Sequence, residues 1–168
     1  MKLSAEITYP EAGPDAAFAM LTDKAFQERK CAATGALSCE VTIETAADGS
    51  VVVLTDRTLP TDPIPEFVRR FVGETVRVTE RTVWQPPAAD GARAGTLEME
   101  VIGSPVRMTG ALRLAAAGAG TAENLDADLK ASVPLIGGKV EKAAAPAVQK
   151  AISVEERTGR AWLAGDRS

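Results

Sequence analysis

Apolar and polar residues alternate from the start of the chain. Leu3, Ala5, Ile7 and Tyr9 share one parity, which predicts a strand over residues 2–9. Gly13-Pro14-Asp15 then opens a helical stretch from Ala16 to Leu21, with Phe18 and Leu21 three apart. A second helical segment runs from Asp23, a capping residue type, to a stop at Gly35. Six strand-like segments follow, at roughly 36–46, 50–59, 74–84, 93–102, 105–115 and 121–133.

One hairpin can be checked by arithmetic. A two-residue turn at Gly103-Ser104, with Gly first, sets Val101 opposite Val106 and Met99 opposite Met108. The same register sets Glu100 opposite Arg107 on the other face, an attractive pair. In the last strand Leu125, Ala127, Leu129, Ala131 and Val133 point one way. Asn124, Asp126, Asp128, Lys130 and Ser132 point the other. A sheet with one dry face is typical of antiparallel pairing, and the dry face needs an apolar cover.

The C-terminal segment is that cover. After Pro134, Ile136, Val140, Ala143, Ala147, Ala151 and Val154 recur at three- and four-residue spacing. Glu141, Lys142, Gln149, Lys150, Glu155 and Glu156 fill much of the remaining surface. Pro146 falls inside this run and predicts a kink.

Length and composition then narrow the class. The 168 residues suit one domain, 1–168, since no repeat or long linker divides them. A net charge of −4 gives no electrostatic case for nucleic acid or an anionic membrane. With no His, the Ser-His-Asp and Cys-His arrangements and the usual His-based metal sites are excluded. No apolar run reaches the roughly 18 residues that a membrane helix needs, and Met1-Lys2-Leu3 is followed by no apolar signal region. Cys31 and Cys39 form no CxxC and read as a reduced, buried pair in preference to a disulfide or a ligand set. The expected location is the cytoplasm. No motif for a cofactor or metal is present.

The element order is a strand, two short helices, six strands and a long helix. Together with the opening LSAEITYPEAGPDAAFAMLTD, it resembles the START-like superfamily, also called SRPBCC, helix-grip or Bet v 1-like. The resemblance spans essentially the whole chain. It implies an α+β fold in which a curved seven-stranded antiparallel sheet wraps the last helix, leaving a cavity between them. More narrowly, RTLPTDPIPEFVRRFVGE (57–74), ASVPLIGGKVEKAAAP (131–146) and EERTGRAWLAG (155–165) are similar to a bacterial branch known mainly as a domain of unknown function. The superfamily holds lipid carriers, hormone sensors, cyclases and co-chaperones and shares no catalytic motif. No catalytic residue is therefore carried over.

Three functions fit this frame. The first is intracellular binding of a small hydrophobic or amphipathic molecule: a lipid, isoprenoid or polyketide-like compound. The second is a cyclase or dehydratase using a cavity carboxylate. The third is a protein-interaction module with a filled core, which an exposed Trp162 would favour.

Several residues are candidates for the cavity wall. Ala143, Ala144, Ala147 and Ala151 form a small-residue stripe that either leaves room for a ligand or allows close packing, with Ala143, Ala147 and Ala151 as candidate cavity wall. In Asp62–Gly73, Ile64, Phe67, Val68, Phe71 and Val72 follow a helical template. That segment is either a lid over the cavity mouth or a fixed crossover, with Phe67 and Phe71 facing the interior. Val78, Leu97, Met99, Met108 and Leu129 complete the apolar lining by parity. Gly137 and Gly138 lack the phosphate-loop spacing and read as a flexible helix entry.

Glu80 and Arg57 are the candidate polar anchors. Glu80 shares parity with Val76, Val78 and Trp84, so regular pleating turns its carboxylate inward. Leu97 and Met99 across the hairpin would desolvate it and raise its pKa. Arg57 shares the inward parity of Val51 and Val53, but a simple register leaves it several residues from Glu80. A β-bulge between Val78 and Trp84 would instead turn Glu80 to solvent.

Overall fold

The computed structural model describes residues 1–61, 65–67, 69 and 73–167. The alternation along the chain resolves into strands β1 (Lys2–Tyr9), β2 (Ser38–Thr45), β3 (Val51–Pro60), β4 (Thr75–Trp84), β5 (Arg93–Val101), β6 (Val106–Ala117) and β7 (Gly120–Ala131). They form one antiparallel sheet in the order β1-β7-β6-β5-β4-β3-β2. Each strand from β2 onward pairs with its chain neighbour. The exception is β1, which lies against β7, so the α1–α2 connection must cross from one sheet edge to the other.

That crossing is made by α1 (Pro14–Leu21) and α2 (Lys24–Ala33). Pro14 starts α1 where a missing N–H does no harm, and Asp15 sits in the first turn. Asp23 caps α2, its Oδ1 accepting from the N–H groups of Ala25 at 2.8 Å and Phe26 at 3.3 Å. The dry face is covered by α3 (Gly137–Leu163). Its 27 residues extend about 40 Å, and it continues through Pro146.

The β5–β6 register sets Met99 opposite Met108 and Glu100 opposite Arg107, so both faces of the hairpin agree with the pattern. The turn itself differs from expectation. Ser104 N–H donates to the Val101 carbonyl, and Gly103 occupies the third turn position with φ of 77°, a left-handed value that favours glycine.

The far end of α3 is locked by aromatic packing. Trp162 is buried and meets Phe26 edge-on, with ring centroids 5.6 Å apart. Gly159 lets α3 approach β1: a Cβ there would lie 2.7 Å from Cε1 of Tyr9. Trp162 is thus an anchor and not an exposed partner surface.

Two expectations need correction or restriction. Cys31 and Cys39 are joined as a disulfide, not a reduced pair, with Cα atoms 6.3 Å apart. The turn after α2 folds its last residues back beside the start of β2, inside the span a disulfide bridges. The cysteine argument for a reducing compartment therefore falls away. Of the predicted lid, Asp62, Pro63, Ile64, Val68, Arg70, Phe71 and Val72 lie outside the described residues, while Glu66, Phe67 and Arg69 are helical. Phe67 is 44% exposed, so its side chain does not line the interior as expected. Among the described residues no helix is long and apolar enough to cross a membrane.

Candidate functional site

Inward residues of six strands, together with α1, α2 and α3, line a partly open cavity of about 100 Å³. Its apolar side is built by strand alternation: Ala5 and Ile7 from β1, Val53 from β3, Leu97 and Met99 from β5, Met108 and Leu112 from β6, and Leu125 from β7. Trp84 lies flat on the sheet because β5 has Gly95 opposite it, where a Cβ would fall 2.8 Å from the indole. The helix wall is Val148, Ala151, Ile152 and Glu155, at i, i+3, i+4 and i+7.

The opposite side is polar. Gln27 and Lys30 from α2, Thr55 and Arg57 from β3, Glu80 from β4, Glu123 from β7 and Glu155 from α3 converge there. Lys30 Nζ lies 3.0 Å from Glu155 Oε2 and 3.5 Å from Glu80 Oε1. Arg57 Nη2 donates to Glu80 Oε2 at 2.8 Å. Two cations and two carboxylates thus form a continuous chain with little exposure to solvent.

Burial acts against the charge on Glu80, yet the fields and hydrogen bonds of Lys30 and Arg57 outweigh it and hold the pKa at about 2. Burial also works against the Lys30 ammonium, and the carboxylates of Glu155 and Glu80 overcome that to raise its pKa.

Glu123 has the contrary environment. It is buried, and Tyr9 donates its phenol to Oε2 at 3.1 Å. Burial and the nearby Glu155 charge push its pKa up to about 8, which leaves it a neutral acid at pH 7. Tyr9 is raised well above its ordinary value, first by burial and then by the Glu123 charge.

Of the residues anticipated from sequence, Glu80, Arg57, Leu97, Met99, Met108 and Ala151 stand on the cavity wall. Glu80 does point inward, so β4 has no bulge there, but its expected pKa rise is reversed. The true register explains this. Glu80 faces Thr55 and Met99, Arg57 faces Val78, and a diagonal step of two residues brings the guanidinium to the carboxylate.

Val78 and Leu129 are buried in the core but do not border the cavity. Ala143 packs against the core away from the cavity. Ala147 is exposed, one residue and about 100° around the helix from Val148. Phe71 lies outside the described residues.

Residue spacing did not mark Lys30, Gln27, Thr55, Tyr9 and Glu123 as polar groups of the interior, and it put Glu155 on the solvated face. Three had a readable signal. Glu123 precedes Leu125 by two residues, Thr55 lies between inward Val53 and Arg57, and Glu155 follows Ala151 by four.

The family profile for "Protein of unknown function (DUF2505)" matches residues 4–163. The chain belongs to the DUF2505 family. No curated protein matches the sequence. Solved structures place this DUF2505 chain in the START-like helix-grip fold. TTHA0849 from Thermus thermophilus is 17% identical, with a TM-score of 0.65 and full coverage of both chains. A STAR-related lipid transfer protein from Xanthomonas axonopodis is 15% identical, with a TM-score of 0.62 over 97% of this chain and 85% of the other. The Zhui aromatase/cyclase from Streptomyces sp. R1128 is 12% identical, with a TM-score of 0.61 over 98% and 93%. At these identities the DUF2505 chain shares their fold, and its chemistry rests on its own residues.

Proposed function

We propose that this chain binds a small hydrophobic or amphipathic molecule in the cavity between the sheet and α3. The observation that carries the reading is the cavity itself, apolar on one side and polar on the other. The lipid transfer and aromatase/cyclase neighbours support it by analogy of fold. Size narrows the class. The cavity of about 100 Å³ is well below the roughly 300–1,000 Å³ of drug-sized pockets. An apolar cavity of about 150 Å³ holds benzene in another protein, so a compact one-ring compound fits better here than an extended lipid. A long acyl chain would require the walls to move.

The test is a toluene titration of the isotope-labelled chain followed by amide and indole NMR shifts. Saturable shifts confined to Val53, Trp84, Leu97 and Ala151 support the reading. An unmoved set at high toluene overturns it.

Glu123 favours a second reading, proton transfer on a bound compound. A buried acid that is neutral near pH 7, faces a cavity and is hydrogen-bonded to Tyr9 has the environment of a general acid. The probe is acetophenone in deuterated water. Exchange of its methyl protons by the wild type, lost in Glu123→Gln, supports chemistry. Exchange at the buffer rate leaves a binding protein.

A further inference from the structure

Among the described residues, charge pairing in the cavity is complete. Lys30 and Arg57 are matched by Glu80 and Glu155 through contacts of 2.8–3.5 Å. Glu123 makes no ion pair among the described residues, and its carboxyl accepts the Tyr9 phenol instead. No cation of the described cavity wall is left over to receive an anion. A carboxylate or phosphate placed here would meet Glu80 and Glu155 with no unpaired cation to balance its charge.

Hydrogen bonding, by contrast, is incomplete. Thr55 Oγ1, Arg57 Nε and Gln27 Oε1 are buried and have no partner, although all three residues border the cavity. Each belongs to a side chain at least nine-tenths buried. Other atoms of two of them are already committed, Gln27 Nε2 to the Leu21 carbonyl at 2.6 Å and Arg57 Nη2 to Glu80. Their orientation is therefore fixed, and the free atoms cannot turn to find partners elsewhere. Unmet buried donors and acceptors are costly unless something binds them.

The three residues border the same cavity. Thr55 and Arg57 are two apart on the same face of β3, and Glu80 is directly opposite Thr55. Gln27 lies one turn before Lys30 on α2, whose ammonium reaches Glu80. Two of the atoms can donate, and one only accepts.

We infer that the ligand of this cavity is an uncharged ring compound whose polar end carries a carbonyl-type acceptor beside an N–H or O–H donor, held by Thr55, Arg57 and Gln27. The acceptor takes the Thr55 hydroxyl and the Arg57 Nε–H, and the donor reaches Gln27 Oε1. The ring occupies the apolar side against Leu97, Met99 and Ala151. This deepens the binding reading above and rests on it. An amide or a hydroxy-ketone meets the requirement. A fatty acid or a phosphorylated headgroup does not.

Three probes of one ring size separate the possibilities on the full chain: toluene, benzamide and benzoate, each titrated with amide shifts read at Thr55, Leu97 and Ala151. Benzamide is expected to bind about tenfold or more tightly than benzoate. Thr55→Val, close in shape, is expected to weaken benzamide about fivefold, the effect of one lost hydrogen bond, with toluene unchanged. Benzoate binding as well as benzamide overturns the inference, as does Thr55→Val leaving benzamide unaffected. If toluene alone moves those residues, the binding reading stands and this one fails. If none of the three does, the binding reading fails first.

Discussion

Tyr9 and Glu123 meet inside the fold, the phenol of β1 donating to the carboxyl of β7 at 3.1 Å. They are two strand positions out of direct register, since Tyr9 faces Thr121 and Ile7 faces Glu123. The pairing of the first strand with the last sets this contact, and burial and the Glu155 charge raise the pKa of Glu123 in spite of it.

Glu123 should give stability a distinctive pH dependence. Its folded pKa of about 8 exceeds the ordinary 4.5, so the folded chain holds a proton that the unfolded chain has released. The stability from this proton is complete below 4.5 and is lost as pH rises through about 8. Glu123→Gln carries no such proton. Relative to wild type it should gain stability with rising pH, by at most about 1.4 kcal/mol per unit. Urea denaturation at pH 5, 6.5 and 8 checks this. A difference that stays constant with pH contradicts it.

Glu80 should behave in the opposite sense. Its pKa is depressed to about 2, so its contribution is present above 4.5 and is lost as pH falls toward about 2. Glu80→Gln leaves Lys30 and Arg57 short of a carboxylate and should cost about 3–5 kcal/mol at neutral pH. The same change made on a Lys30→Met background should cost clearly less, because one stranded cation is gone. Equal effects on the two backgrounds, read by urea denaturation, would show that Lys30 and Glu80 are uncoupled.

Gly159→Ala tests the contact that seats Tyr9. The new methyl would sit 2.7 Å from the phenol ring and about 3.1 Å from Cε of Met20. Overpacking of this kind costs about 1–3 kcal/mol. Tyr9 should also turn away from Glu123, changing the near-ultraviolet circular dichroism. A melt and a spectrum that both match wild type would refute the contact.

The fold was legible because its signals are local and repeated. Period-two alternation in Leu125–Val133, the Met99–Met108 register and the apolar spacing of Val140–Val154 each point to the same sheet and helix. The cavity's polar side was harder to read for a physical reason. Parity places Glu80 and Arg57 on one face, but their contact depends on the β3–β4 register, set across a connection that no tight turn fixes. Lys30 reaches Glu80 only because α2 crosses the sheet. No spacing along the chain encodes that meeting. The rise expected for Glu80 was reversed by that one missing cation together with the diagonal Arg57. The Cys31–Cys39 pairing was missed because it likewise depends on how the turn after α2 returns the chain.

The central claim is that the space beside Ala151 holds a ligand, and a comparison of two alanines tests it most directly. Ala151 borders the cavity, and Ala147 is exposed on the flank of the same helix. Toluene affinity is measured by NMR titration for wild type, Ala151→Phe and Ala147→Leu, with a thermal melt of each. Ala151→Phe should keep a cooperative melt and lose about tenfold or more in affinity, because its ring fills the site. Ala147→Leu should bind as wild type, with stability changed by no more than about 0.5 kcal/mol. Undiminished toluene binding in a folded Ala151→Phe variant would contradict the account.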